Sequence, residues 1–183
     1  MFDPNLETGL IGGVERREIQ IVDYQPDWPE TFAAHSRQIQ AAIQGAAMQI
    51  EHIGSTSVPD LAAKPIIDIL LVVANSADES SYLSHLEQVG YQLRVREPDW
   101  HQHRMLRTPE RDVHIHVYST GCVEIDRNLA FRDRLRQCAE DRIRYERVKR
   151  ELAQRSWDDM NQYAAAKTEV IESVLSAAGD ATN

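Results

Sequence analysis

Two short stretches of the chain carry residue types whose spacing supports chemistry. The first runs Glu51-His-Ile-Gly-Ser-Thr-Ser-Val-Pro-Asp-Leu-Ala-Ala-Lys-Pro-Ile-Ile-Asp68, with Gly54, Ser55 and Thr56 directly after an alternating run that reads as a strand. A Gly-Ser pair there lets backbone N–H groups and a hydroxyl approach a phosphate with no Cβ in the way. Asp68, on the next predicted strand, can hold a divalent cation facing that loop, since Mg²⁺ in phosphoryl-transfer sites takes one or two carboxylates plus substrate oxygens. Lys64 adds a point charge for a phosphate. The competing reading, of equal weight, is a polar turn between strands with Asp68 hydrogen-bonded in the core. The loop is no Walker P-loop, because GxxxxGK[ST] is absent.

The second stretch, Asp112 to Tyr118, alternates so that His114, His116 and Tyr118 share one strand face. An imidazole there is a metal ligand or a general base near neutral pH; the plainer alternative is two half-buried rings packed on one helix. His101 and His103 form another His-x-His beside Trp100, in a segment with loop character. All four histidines with Asp68 would make a metal cluster, but neither HExxH nor Cys/His spacing supports zinc.

These residues need elements to position them. Glu18 to Val22 reads as a short strand, and Asp27 with Glu30 as a capping box opening a helix that runs to about Gly45. Met48, Ile50 and His52 alternate with Gln49, Glu51 and Ile53 in a strand ending at Gly54. Ile66 to Val73, apolar on both faces except Asp68, reads as a central strand. Asp78 to Val89 is a predicted helix closed by Gly90; Tyr91, Leu93 and Val95 alternate as a strand, and Met105 and Leu106 belong to a further short one. From Val123 to about Ala178 the pattern is helical, with a break near Ser156-Trp157-Asp158. The expected fold is α+β: a mixed sheet flanked by helices, with a helical C-terminal third. Residues 1–17 form an N-terminal extension that starts loosely through Gly12 and Gly13, 18–178 one domain, and 179–183 a polar tail.

Composition bounds the function. The 183 residues suit one domain, and 42% apolar with 27% charged residues is the balance of a globular protein. No apolar run approaches the roughly 20 residues of a membrane span. The acidic N-terminus has no signal-peptide pattern, and Cys122 and Cys138 make neither a CxxC pair nor a disulfide framework. Both point to the cytoplasm. A net charge of −9 argues against general nucleic-acid binding. Ten basic residues nevertheless lie between Arg127 and Arg155, which reads as a solvated helix laced with pairs such as Glu146 to Arg150, or as a local anion-binding face.

HIGSTSVPDLAAKPIIDI, with FRDRLRQCAEDRIRYERVKREL and YAAAKTEVI, closely resembles the GrpB-like family of the nucleotidyltransferase superfamily, from Ile19 to about Leu175. The same module looks like the one appended to some dephospho-CoA kinases. The resemblance implies a nucleotidyltransferase-like sheet, with Gly54 and Ser55 as its GS motif and Asp68 as the first acid of its D-x-[DE] metal motif. It also implies a nucleoside triphosphate with Mg²⁺ or Mn²⁺, an unidentified small-molecule acceptor, and helices closing over the nucleotide with Arg132, Tyr145 and Lys149. His116, with His114, would take the place of an acid on the later strand. Two positions depart from the pattern. Asp60 stands where relatives usually carry Gly, so it must tolerate a turn or a positive φ, and Leu70 stands where the second acid would be. Leu70 favours the alternative of a phosphate- or nucleotide-binding regulatory module without catalysis.

Overall fold

The computed structural model describes residues 9–13, 18–157 and 160–180. The acidic start at 1–8, Asp158 of the expected break and the tail end at 181–183 lie outside the described residues.

Five strands, β1 (Ala47–Ile53), β2 (Ile67–Val73), β3 (Gln92–Glu97), β4 (His103–Arg107) and β5 (Val113–Ser119), form one mixed sheet in the order β1-β2-β5-β4-β3. β2 pairs parallel with β5, and the other neighbours pair antiparallel. The strand read as apolar on both faces is therefore central, as two-sided burial requires. On one face α1 (Trp28–Ala42) and α2 (Leu83–Gln88) cover Ile67, Ile69, Leu71 and Val73 of β2 and Val113, Ile115 and Val117 of β5. On the other, α3 (Val123–Gln137) closes Ile53, Leu70, Val72 and Tyr118 under Ile125. Beyond it, α4 (Ala139–Ala153) and α6 (Thr168–Asp180) pack Tyr145, Val170 and Val174 onto Val58 and Leu61 of the loop after β1. A short α5 (Met160–Ala165) precedes α6. The α+β architecture with a helical C-terminal third is as the sequence suggested, and no described helix is long and apolar enough to cross a membrane.

Several local expectations are corrected. Glu18 to Val22 forms no strand, only an isolated bridge from Val22 to Ala63. Asp27 makes no side-chain cap, because its own backbone is already helical (φ −84°, ψ −12°), and α1 stops at Ala42. The helix expected from Asp78 splits into a 3₁₀ turn, Glu79–Ser81, and α2. The long helix from Val123 breaks additionally at Cys138 (φ −112°, ψ 105°), where no glycine or proline marked it. Past that break, Ile143 of α4 is exposed. The glycine-bearing start is not loose over residues 9–11, which add to the edge of β3 through Arg96 N–H to Gly9 O and Ile11 N–H to Arg94 O.

Candidate functional site

The parallel register of β2 and β5 sets Asp68 opposite His114 and Leu70 opposite His116, so the carboxylate and both imidazoles emerge on the same face. His114 Nδ1 and His116 Nε2 each stand 3.6 Å from Asp68 Oδ1. One ligand atom from each of the three lies within 4.8 Å of the others, and the side chains keep 21–29% of their surface exposed. Among the described residues this is the one group of histidines, cysteines and carboxylates clustered closely enough to share a cation. Burial would raise the Asp68 carboxyl, but His116, His114 and Lys64 outweigh it and hold it below its ordinary range. Burial pushes His114 down to about 4 against the pull of Asp68, so its ring is neutral at neutral pH, the form that ligates metals.

Behind His116 lies a buried relay. Glu97 Oε2 is 2.5 Å from His103 Nδ1, and His103 Nε2 is 3.2 Å from His116 Nδ1. His103 is sandwiched between rings, stacking on His116 (5.4 Å) and on Tyr118 (4.8 Å). The segment read as loop thus delivers His103 as the buried first residue of β4, while His101 stays on the exposed turn.

The loop after β1 approaches this triad because residue 54 is glycine. Its φ of 68° and ψ of −174° fall in a region essentially closed to other residues, and an added Cβ would sit 3.0 Å from the Asp68 Cβ and overlap its carboxylate. Asp60 takes the positive φ (63°) that its place in the loop demanded. Side chains of α3 and α4 then clamp the loop. Arg136 donates twice to Ser57 O (3.0 and 2.8 Å), Ala62 N–H donates to Glu146 (3.2 Å), and Lys149 Nζ donates to Ala62 O.

A cavity of about 170 Å³ opens in front of Asp68 and His116, while His114 stands beside Asp68 outside its lining. Of the residues singled out in the sequence, Gly54, Ser55, Asp68, His116 and Tyr145 line it, and the Ser55 hydroxyl hydrogen-bonds Tyr145. Lys64 stands close enough to act on Asp68 and His114 electrostatically, outside the cavity wall. Three others are engaged elsewhere. Thr56 is buried, donating to Ile66 O (3.0 Å), so its oxygen accepts from His52 Nε2 (3.1 Å). Arg132 donates to Glu51 (2.8 Å), His52 O (3.2 Å) and Asp133 (2.7 Å). Lys149 is buried over the Tyr145 ring, its ammonium pushed down to about 7 by burial and by Lys167. Much of the basic segment is paired in the same way, as the plainer reading held: Arg150 meets Glu146 and Asp23, and Arg134 meets Asp141.

The cavity also takes Tyr118 and residues that the sequence did not single out as site residues, among them Glu124, Arg127 and Lys167. Lys167 lies over the Tyr163 ring (4.5 Å), and burial with Lys64 nearby lowers it to about 8 although Asp68 opposes this. Its signal is a Tyr-x-x-x-Lys spacing, Tyr163 to Lys167, that repeats Tyr145 to Lys149, and the two lysines come close enough to repel.

The GrpB protein profile matches residues 18–177. A UPF0157 protein of Streptomyces coelicolor is 52% identical over 172 residues, covering 94% of this chain and 90% of that protein. The crystal structure of conserved protein GrpB from Enterococcus faecalis superposes with a TM-score of 0.78 at 34% identity, over 87% of this chain and 96% of that one. A dephospho-CoA kinase of Mycolicibacterium paratuberculosis is 28% identical over 91% of this chain, which spans 46% of that longer protein. From a profile match across most of its length and relatives at this identity, the chain belongs to the GrpB protein family.

Proposed function

We propose that the cavity binds a nucleoside triphosphate with a divalent cation and transfers its nucleotidyl group to a small-molecule acceptor. The observation that carries this reading is the Asp68, His114 and His116 cluster facing a loop that only glycine at position 54 lets so close. The three donors fit a cation by their chemistry, and each imidazole nitrogen stands 3.6 Å from the carboxylate oxygen, near the roughly 3.0–3.5 Å between two ligands at about 2.1 Å from one ion. The bound cation would neutralise phosphate charge and fix the reacting phosphorus. Gly54 leaves room for the phosphates, Ser55 offers its hydroxyl, and Lys167 sets a cation on the cavity wall opposite the carboxylate. The acceptor hydroxyl or carboxylate would displace pyrophosphate from the α-phosphorus; Asp68 and His116 are the groups near enough to orient it. Mg²⁺ or Mn²⁺ would serve in the assay, with the four common triphosphates. Pyrophosphate release that needs the cation and vanishes in Asp68→Asn supports the reading. Equal release by that variant, with its fold intact, overturns it.

Leu70 supports a second reading. It is fully buried among Ile53, Val72, Tyr118 and Ile125, so the second carboxylate of the superfamily pattern is replaced by core. A regulatory module that binds a nucleotide or phosphate without turnover would show ligand-induced stabilisation, no cation requirement and no pyrophosphate.

A further inference from the structure

The donor set of the cluster differs from that of an ordinary magnesium site. Two of its three donors are imidazole nitrogens, and the neighbouring position that could have added a second carboxylate is the buried Leu70. Mg²⁺ is a hard ion that prefers oxygen in octahedral geometry, whereas imidazole suits first-row transition metals.

The relay behind His116 bears on the same question. An ionised Glu97 only accepts hydrogen bonds, and in that state it takes the His103 proton on Nδ1 and leaves His103 Nε2 as an acceptor. In the neutral ring His116 Nδ1 then donates to it, which leaves the His116 Nε2 lone pair available to a cation, with Asp68 Oδ1 3.6 Å away. Metal-ligating histidines are held in this way, the far nitrogen donating to a fixed partner that sets tautomer and ring orientation. The stacking of His103 between His116 and Tyr118 keeps the chain of three side chains in register. A pair of rings merely filling space beside a helix would have no need of a buried carboxylate ordering their protons.

We infer that Asp68, His114 and His116 form a two-histidine, one-carboxylate centre for a first-row transition-metal dication, with Glu97 and His103 as positioning residues that preset the His116 nitrogen. This deepens the proposed function, because it rests on the same three donors and names the class of cation they select.

The test is calorimetric titration of the full chain, stripped by chelator, with Mn²⁺, Co²⁺, Zn²⁺ and Mg²⁺, alongside the visible absorption of the Co²⁺ form. The expected result is one site for the transition metals and Mg²⁺ weaker by about 100-fold or more. His114→Ala and His116→Ala abolish the site. His103→Phe, which keeps the ring stack but removes the acceptor, weakens Co²⁺ by about 10–100-fold and shifts its absorption. Since that change strands the Glu97 carboxylate, Glu97→Gln with His103→Phe provides a second variant, its fold checked by circular dichroism. Mg²⁺ binding as tightly as Mn²⁺, or Co²⁺ affinity and absorption unchanged in folded His103 variants, overturns the inference. Transition-metal binding as described without any triphosphate binding would leave this inference standing and defeat the proposed function instead.

Discussion

The two faces of β2 and β5 share one backbone and one register, yet they have opposite fates. Under α1 and α2, Leu71, Ile69, Ile115 and Val117 are all fully buried in a dry apolar cluster. Across the sheet, the intervening residues give the polar cluster of Asp68, His114 and His116 and, beyond it, Leu70, Val72 and Tyr118 under α3. One face holds the sheet together, and the rigidity it confers lets the other hold three polar side chains at fixed separations. The comparison teaches that the site is a property of the strand pairing: a slip of one residue would turn the histidines into the core.

Four measurements would break or sharpen that contrast. Leu71→Ala should cost the most, about 2–5 kcal/mol in denaturant titration, while leaving cation affinity intact. A matching loss of cation binding would show that the two faces are not separable.

The pH dependence comes next. His52, stacked on Phe32 beneath α1, is pushed to about 4 by burial, as is His114 beside Asp68. Both are held below the unfolded value, so the unfolded chain binds the extra protons as pH falls through that interval. Their stabilisation is complete above about pH 6.5 and is lost on descending toward pH 4, on the order of 3 kcal/mol for each ring. Saturating Mn²⁺ should deepen only the share that His114→Asn removes, since protons compete with the cation there. Equal deepening in that variant would place the cation elsewhere.

Gly54→Ala should cost about 1–3 kcal/mol through its backbone alone and should displace Asp68, so that stability and cation affinity fall together. Asp68→Asn is the mildest change for the fold, less than about 1 kcal/mol by thermal denaturation, and the most severe for the cavity. A large loss of stability in that variant would return Asp68 to the role of a core hydrogen-bonding group.

What the sequence revealed follows the range of the interactions involved. Local alternation exposed β1 and β5, and with them the shared face of His114 and His116, because strand periodicity is written in consecutive residues, and a continuous apolar run exposed β2. The GST loop was legible in its own residue types, and the demand on Asp60 through the resemblance to relatives that carry glycine there. Partners set by long-range packing were hidden. Arg132 and Lys149 looked like phosphate ligands, but they meet Glu51 and Ala62, residues 81 and 87 positions away. Lys167 reaches the cavity only because α4 and α6 pack side by side on either side of the break in the helical third. Likewise His103 stood beside a turn in the sequence, and only the pairing of β4 between β3 and β5 sets it between Glu97 and His116.

The central claim is that the polar face of β2 and β5 is a cation-dependent nucleotide site. The most direct test is thermal denaturation of the wild type and Asp68→Asn with each nucleoside triphosphate, with and without Mn²⁺. A ligand at 100 times its Kd adds about 2.7 kcal/mol, a readily measured rise in Tm. The account predicts a rise for the wild type that needs both nucleotide and Mn²⁺ and is absent in Asp68→Asn. A rise of the same size in the variant, or none in the wild type with any triphosphate, would contradict it.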